Sequence, residues 1–495
     1  MSSVVSSTRS EVAALKEETV SGTLQALTAG SEFIAIREGF SMSSEPETVE
    51  TDTKTGSIGK SAPINVGENP AGSCPLYNKH SGVEGQEPEF GILIESALGD
   101  KTVTGTAPVL DTSSTVGALE IASGTVEAGM SVMIKDATNG YSIRPVSDLT
   151  GTTATLAFNL GNAPAAAVTL GKPVLYKPAN EQPTFSAYNF QAATSADWRQ
   201  AQSGCRTTSL SFELPARDLG GLTAEFESKS FFWGYFEITA ANDDFSVTDD
   251  TGAFTGSITQ KVYKTAMALA SELETKMNAA GSDVFTCVYS SSTGKFTITG
   301  DGAVLTLTCS AANSVFAGIG FGAIDLTGAT TYTAATAISY DAPYTPSFDV
   351  VDPNVIVNNE LFIGDATDNI CRKGVTASLS ISTPKSNVLS ICAENGVVET
   401  LINERTAEFT STIILAPYEV ALFDKMINNT TVKLVFNGGA KDNAGNWMPG
   451  RCFSLYMANA KIKAVKTEQD GYSTIELTAT AFVSNTEQDV YITYL

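Results

Sequence analysis

Hydrophobic and polar residues alternate with period two along much of the chain. The clearest run is Thr474-Ile475-Glu476-Leu477-Thr478-Ala479-Thr480-Ala481-Phe482. Ile475, Leu477, Ala479 and Ala481 share one face, and mostly Thr and Glu share the other, the signature of a half-buried strand. The pattern occurs earlier in Thr223-Ala224-Glu225-Phe226-Glu227-Ser228-Lys229-Ser230-Phe231, where Thr, Glu and Phe hold the same three places at an offset of 474 − 223 = 251 residues. Each copy is preceded by another alternating stretch and a turn. Ala460, Ile462 and Ala464 lead to Asp470-Gly471, a strong hairpin signal because both residues tolerate positive φ. Leu210, Phe212 and Leu214 lead to the looser Asp218-Leu219-Gly220-Gly221.

The periodicity changes to helical in two further stretches. Residues 417–428 open Pro417-Tyr418-Glu419 and carry Leu422, Phe423, Met426 and Ile427. Residues 88–99 open Pro88-Glu89-Phe90 and carry Leu93, Ile94, Ala97 and Leu98. Proline suits a first helical position, and Gly99 and Asn428 stand where a left-handed C-terminal residue is wanted. Thr102-Val103 and Thr431-Val432 then resume in one register, 431 − 102 = 329 residues apart. The two offsets differ by 329 − 251 = 78 residues, so the first copy carries an insertion of that size between helix and hairpin. Helix, turn and strand recurring in order predict a duplicated unit.

In chain order, residues 1–32 read as an N-terminal arm with a short helix over Ser10–Glu18. Residues 33–103 with 184–235 form the first copy, including a polar loop from Glu45 to Lys60. Residues 104–183 are an inserted β module with short strands at Ala118–Ala122, Met130–Ile134, Thr153–Phe158 and Lys172–Tyr176, and a hairpin turn at Asn139-Gly140. Residues 236–336 are an inserted α+β module. Its helix over Ala266–Ala280 has Thr265 as N-cap, Gly281 as stop and an apolar stripe of Ala266, Leu269, Ala270, Leu273 and Met277. Residues 337–370 are a connector punctuated by Pro343, Pro346 and Pro353, and residues 371–495 form the second copy. The expected fold class is mainly β (α+β): two β-sandwich or barrel units with one helix each, plus two inserted small β-rich modules.

Composition narrows the function. Net charge is 30 − 54 = −24, a field that repels nucleic acid and anionic membranes and disfavours a DNA-wrapping role. No secretory leader or span-length apolar stretch is read, so the expectation is synthesis in a cytoplasm without a membrane anchor. Seven cysteines, Cys74, Cys205, Cys287, Cys309, Cys371, Cys392 and Cys452, are scattered without a CxxC pair. They read as buried free thiols, not as a zinc site or disulfide framework.

Candidate chemistry is sparse. His80, the sole histidine, lies in Lys79-His80-Ser81-Gly82 and reads as a solvated loop residue, not a triad base. Gly318-Ile319-Gly320-Phe321-Gly322 lacks the strand–loop–helix context of a phosphate loop. Asn242-Asp243-Asp244 and Asp249-Asp250-Thr251-Gly252 depart from calcium-loop spacing and read as acidic turns. Trp198, Trp233 and Trp447 are too scattered for a sugar cleft. Carboxylates that converge only in space would serve glycoside hydrolysis, and sequence is blind to them. Asn437-Gly438-Gly439-Ala440 through Asn446-Trp447 reads as a flexible loop, either a hairpin extension or a subunit contact. The expectation is no enzyme, no cofactor and no metal, and a strand-rich protein that pairs its exposed edges by self-assembly.

Several runs resemble the tail tube proteins of long-tailed bacteriophages. They are Phe33-Ile34-Ala35-Ile36-Arg37-Glu38-Gly39-Phe40-Ser41, Glu45-Pro46-Glu47-Thr48, Gly56-Ser57-Ile58-Gly59 and Lys79-His80-Ser81-Gly82-Val83-Glu84-Gly85-Gln86. Asn139-Gly140-Tyr141-Ser142-Ile143-Arg144-Pro145-Val146 and Leu175-Tyr176-Lys177-Pro178-Ala179 are similar to the same group. The resemblance implies stacked rings in a virion tail. Their inner sheets merge around a lumen that houses a tape measure protein and later conducts double-stranded DNA. Tail terminator and tail tip proteins are the implied end partners. A duplicated unit implies trimeric rings of pseudo-sixfold symmetry, with the two insertions outside. An acidic wall lets DNA slide where Lys and Arg would bind it, so Glu225, Glu227 and Glu476 are expected to face the lumen. The competing expectations are a decoration or baseplate protein, and a tail-associated polysaccharide hydrolase. A bacterial adhesin is disfavoured by the same absence of a leader and by the free thiols.

Overall fold

The computed structural model describes residues 11–50, 62–135, 140–165, 167–191, 198–338, 340, 342–357, 359–366, 368, 370–389, 397–402, 404–469, 471–484 and 488–495. Asp52, Lys54, Lys60, the Gly56–Gly59 run, Asn139, Cys392 and Asp470 lie outside them. Strand accounts for 51% and helix for 10% of the chain, a mainly-β fold. Two compact units form. One holds the chain up to Ala13, Tyr188–Gln202 and Phe231–Thr345; the other holds Ala14–Ala187, Ser203–Ser230 and Pro346–Leu495.

The larger unit is built on an eight-stranded antiparallel sheet. Its strands, in chain order, are β1 (Ser41–Val49), β2 (Ile64–Tyr77), β3 (Trp198–Pro215), β4 (Gly221–Glu227), β5 (Gly374–Ser382), β6 (Thr406–Ile414), β7 (Trp447–Gln469) and β8 (Tyr472–Ala481). The spatial order is β1-β2-β4-β3-β5-β6-β8-β7. It divides into two four-stranded blocks with the same connectivity: first strand, second, fourth, third. The blocks meet where β3 pairs with β5, from Ser209↔Ser382 to Pro215↔Thr376. The two alternating stretches that repeat in the sequence are β4 and β8, the fourth strand of each block.

One face of this sheet is apolar. Leu210, Phe212, Leu222, Ala224, Phe226, Leu379, Ile381, Phe409, Ile475, Leu477 and Ala479 are all buried. Each such Leu, Ile or Phe contributes about 2 kcal/mol on removal from water, and a one-residue slip would turn the whole set to the other side. β7 is long enough to serve two layers. Its C-terminal part pairs with β8, while Phe453–Met457 lies between Val490–Tyr494 and Val432–Lys441. That second, outer sheet runs Gly99–Val103, Val174–Pro178, Val490–Tyr494, β7, Val432–Lys441, Glu360–Gly364.

Two boundaries shift accordingly. Val174–Pro178, which the sequence places in the first insertion, is an outer-sheet strand. Glu360–Gly364, in the expected connector, belongs with the second copy because it pairs with Val432–Lys441. The first insertion itself is a five-stranded sheet in the order Val109–Leu110, Ala118–Ser123, Thr153–Leu156, Tyr141–Thr150, Ser131–Lys135. Its core, with Leu119, Val132, Val146 and Phe158, is continuous with Leu175, Val435 and Tyr456 of the outer sheet.

The smaller unit contains α2 (Ala266–Ala280) against short antiparallel strands. Thr265 Oγ1 accepts from the Ala268 N–H, and the buried residues are Ala266, Leu269, Ala270, Leu273 and Met277, the stripe read from sequence. Strands Asp244–Asp249 and Gly252–Ser257 precede this helix, and Phe285–Ser290 and Lys295–Gly300 follow it.

Local readings fail where tertiary contacts override them. The arm helix expected over Ser10–Glu18 is a strand, Glu11–Glu17, with Ala13, Ala14 and Leu15 buried in succession. Burial on both sides suits a strand covered on both faces, and the Glu18 N–H extends it to the Thr184 carbonyl. The polar loop expected from Glu45 begins instead as the end of β1. Helix α1 (Gly91–Leu98) starts three residues after Pro88, and α3 (Val420–Ile427) follows a 3₁₀ turn headed by Pro417. Gly99 is left-handed at φ +119°. Asn428 is not; Asn429 takes that role at φ +49°.

Ahead of α1 and of α3 sits a buried carboxylate. Glu89 accepts from Lys79 Nζ at 3.0 Å and from the Ala35 N–H at 2.8 Å. Glu419 accepts from Arg372 Nη1 at 2.8 Å, with both side chains inaccessible to water. Each ties a helix entry to the segment that leads into the first strand of its block. Burial raises the Glu419 carboxyl, and the Arg372 guanidinium opposes that rise. Arg372→Met leaves a buried charge unpaired and is expected to cost roughly 3–5 kcal/mol. Arg372→Met with Glu419→Gln is expected to recover more than half of that loss, read as the midpoint of thermal unfolding. Equal destabilisation by both would mean that the pair does not hold the entry to α3.

Candidate assembly surface

The other face of the eight-stranded sheet is polar and open. Because the strands are in register, its side chains form rows. One row is Ser41, Ser73, Glu225, Ser209, Ser382, Thr406. A second is Pro75, Thr223, Ser211, Ser380, Glu408, Thr480, Lys461. A third joins Glu213, Ser378, Thr410, Thr478 and Lys463, and a fourth Pro215, Thr376, Thr412, Glu476 and Val465. Small hydroxyl side chains dominate, and they bond to each other across strands, as Ser378 Oγ does to Thr410 Oγ1 at 2.7 Å. Glu213, Glu225, Glu227, Glu408 and Glu476 are exposed. The expected acids Glu225, Glu227 and Glu476 therefore all stand on this one face, outside the core. Glu213 and Glu408 join them, which only the cross-strand register reveals.

The rest of the surveyed chemistry is structural. His80 is buried, contrary to its reading as a loop residue in solvent. Its Nδ1 lies 3.0 Å from Ser81 Oγ and accepts from the Gly82 N–H at 3.2 Å, and its ring is 5.8 Å from that of Tyr494. Burial pushes its pKa down to about 4. Asp249 takes the backbone N–H groups of Ser282, Thr251 and Gly252, which with the Thr251 hydroxyl hold it down at about 2. Asp250 takes those of Ala303 and Val304, and Asp243 the Gln260 amide. Among the described residues no group of three or more His, Cys, Asp or Glu is arranged to hold a metal ion.

A carboxylate-rich cleft of about 780 Å³ is lined by Glu17, Glu18, Glu32, Glu87, Glu89 and Asp349. Most of these acids are spoken for. Glu18 accepts from the N–H groups of Gly22 and Gly204 and from Ser186. Glu32 pairs with Lys16, Glu87 with Lys101 and Glu89 with Lys79. Asp349 accepts from the Glu89 N–H, and burial raises its carboxyl. An acid–base pair needs carboxyl groups available for proton transfer, and in this network Glu18, Glu32, Glu87, Glu89 and Asp349 accept structural hydrogen bonds or pair with lysines. A second cleft, of about 460 Å³, lies at the seam of the two blocks beside Leu214, Ile356, Cys371 and Phe436.

Two of the three tryptophans do come together. Trp198 and Trp233 stack with centroids 5.5 Å apart and planes 8° apart, a convergence that sequence spacing does not show. Trp447 is buried elsewhere. Its loop closes a hairpin: Val432–Lys441 pairs with β7 as far as Lys441↔Trp447, with a register shift between Gly439 and Lys441. Among the described cysteines, Cys74, Cys205, Cys287, Cys309 and Cys452 are buried thiols and Cys371 is exposed. No helix among the described residues is long and apolar enough to cross a membrane. No protein-family model and no curated protein matches the chain.

The buried His80 gives a pH prediction. Its folded pKa lies below the value of 6.5 of an unperturbed imidazole, so protonation favours the unfolded chain. The stability it contributes as a neutral ring is present above pH 6.5 and is lost as pH falls toward 4. Relative to His80→Asn, the native protein is expected to lose ~3 kcal/mol over that window in urea unfolding. Parallel pH profiles of the two proteins would remove His80 as the cause.

Proposed function

We propose that this chain is a structural ring subunit of a phage-type tail tube, with three copies closing a ring. The observation that carries the reading is the pair of like four-stranded blocks fused into one sheet, apolar behind and Ser/Thr/Glu-rich in front. Such a sheet, continued from copy to copy, closes into a barrel lined by its polar face. Three chains supply six blocks and about 24 strands; barrels of 16–18 strands already leave an aqueous channel. The exposed glutamates of this face outweigh Lys461 and Lys463 at its β7 edge, so its net field repels phosphate groups.

In this reading the lumen houses a tape measure protein and then conducts DNA, terminator and tip proteins cap the tube, and the protein resides in the virion tail. The engagement of Glu18, Glu32, Glu87 and Glu89 of the cleft by lysines and backbone N–H groups supports a structural role over a hydrolase.

Electron microscopy of assembled tubes is the direct test. Threefold rings with two like inner domains per chain are expected. Sixfold rings of whole chains, or isolated copies on a particle surface, would overturn the reading. A Glu225→Gln, Glu227→Gln, Glu476→Gln variant is expected to assemble but to release DNA several-fold more slowly at low ionic strength. The difference should vanish near 1 M salt, where the screening length is ~3 Å. Unchanged release at every ionic strength would remove these glutamates from the lumen.

A further inference from the structure

The eight-stranded sheet ends in two open edges. Among the described residues β1 pairs with β2 alone, and Lys461–Gln469 of β7 pairs with β8 alone; α3 covers the start of that stretch, where the Ala464 N–H meets Met426 Sδ at 3.2 Å, so the free part of the β7 edge begins at Val465. We infer that these edges are mates: β7 of one copy pairs antiparallel with β1 of a second copy, with Val465 opposite Glu47 and Thr467 opposite Glu45. The inference rests on the ring reading and adds the partner strand and its register.

The register comes from the joint inside the chain. Glu225 and Glu476 are the glutamates at matching places in the sequence repeat. The row through Glu225 contains Ser41 of β1 and Ser209 of β3. The row through Glu476 contains Thr376 of β5 and Val465 of β7. Ser41 thus corresponds to Thr376, and Ser209 to Val465. At the internal joint Ser209 lies opposite Ser382, and Ser211 opposite Ser380. Ser382 is six residues beyond Thr376, as Glu47 is six beyond Ser41. Carrying the joint over gives Val465↔Glu47 and Thr467↔Glu45, and the faces agree: buried Met42 corresponds to buried Ala377.

Charge supports the same pairing. The β7 edge carries Lys463 and Lys466, and the β1 edge carries Glu45 and Glu47, all exposed. In the inferred register Lys463 is the diagonal neighbour of Glu47 on one face, a favourable arrangement for opposite charges. Pairing β1 with β1 would set glutamates against glutamates, whereas the β7 edge carries Glu468 beside Lys463 and Lys466; the charges therefore favour β1 against β7 over β1 against β1. Pro46 removes one donor from β1 and blunts that edge toward foreign strands.

The test is disulfide capture in the full chain, with Cys371→Ser and Cys392→Ser to remove competing thiols. Opposed residues of an antiparallel pair have Cα atoms ~4.5–5.5 Å apart, within the span of a disulfide. Glu45→Cys with Thr467→Cys is expected to give covalent dimers and trimers on non-reducing gels, with each single variant remaining monomeric. Rings that form without this cross-link, or that cross-link better through Ser43→Cys with Thr467→Cys, would overturn the register and leave the ring reading standing. The expected cross-link in particles that are not tubes would uphold the edge pairing and sink the tube. As an independent arm, Lys463→Glu is expected to reduce assembly several-fold and Glu47→Lys in the same chain to restore it. Assembly unaffected by either charge change would remove the directional role of these residues.

Discussion

Everything in the larger unit depends on the antiparallel joint between β3 and β5. Without it the chain would hold two separate four-stranded sheets, each with two raw edges. With it, one sheet forms whose apolar side is continuous across both blocks. Seven residue pairs fix that joint, from Ser209↔Ser382 to Pro215↔Thr376, and the period-two pattern on both strands permits only registers that keep Phe212 and Leu379 inward. The alternation that makes each strand thereby also aligns the blocks. It leaves the hydroxyls and glutamates on one uninterrupted surface.

The two helix entries carry like carboxylates with unlike partners. Glu89 and Glu419 are both buried, each beside a cation, yet the partners differ: Lys79 in one block and Arg372 in the other. The lysine supplies a point charge, and backbone N–H groups from Ala35 and Asp349 complete the shell of Glu89. The arginine supplies a planar fork, reaching Glu419 with one nitrogen and Asp368 with another. Both answer one constraint, that a carboxylate removed from water needs a cation beside it, Glu89 with both oxygens engaged and Glu419 with one.

The distribution of the acids reflects the same constraint read from outside. In the clefts and turns, carboxylates are consumed by lysines and backbone N–H groups, as at Glu18, Asp249 and Asp250. On the polar face of the sheet they stand in water among serines and threonines. The first set organises loops; the second gives a surface its charge.

The sequence by itself determined the strands, the inserted helix with its Thr265 cap, and the repeat of β4 as β8. These rest on local periodicity and capping, which neighbouring residues decide. It also placed Glu225, Glu227 and Glu476 on polar strand faces. Only the tertiary structure decided that those faces are one face, that Glu213 and Glu408 belong to it, and that among the described residues β1 and the Val465–Gln469 end of β7 stand at the two margins of the sheet. Pairing partners lie hundreds of residues apart, and no local pattern encodes which strand a strand will meet. The same reason explains the misreadings. A seven-residue segment with Val12 and Leu15 at helical spacing became a strand because pairing outweighed weak propensity. His80, set among turn residues, was drawn inside because Tyr494, from the far end of the chain, packs against it.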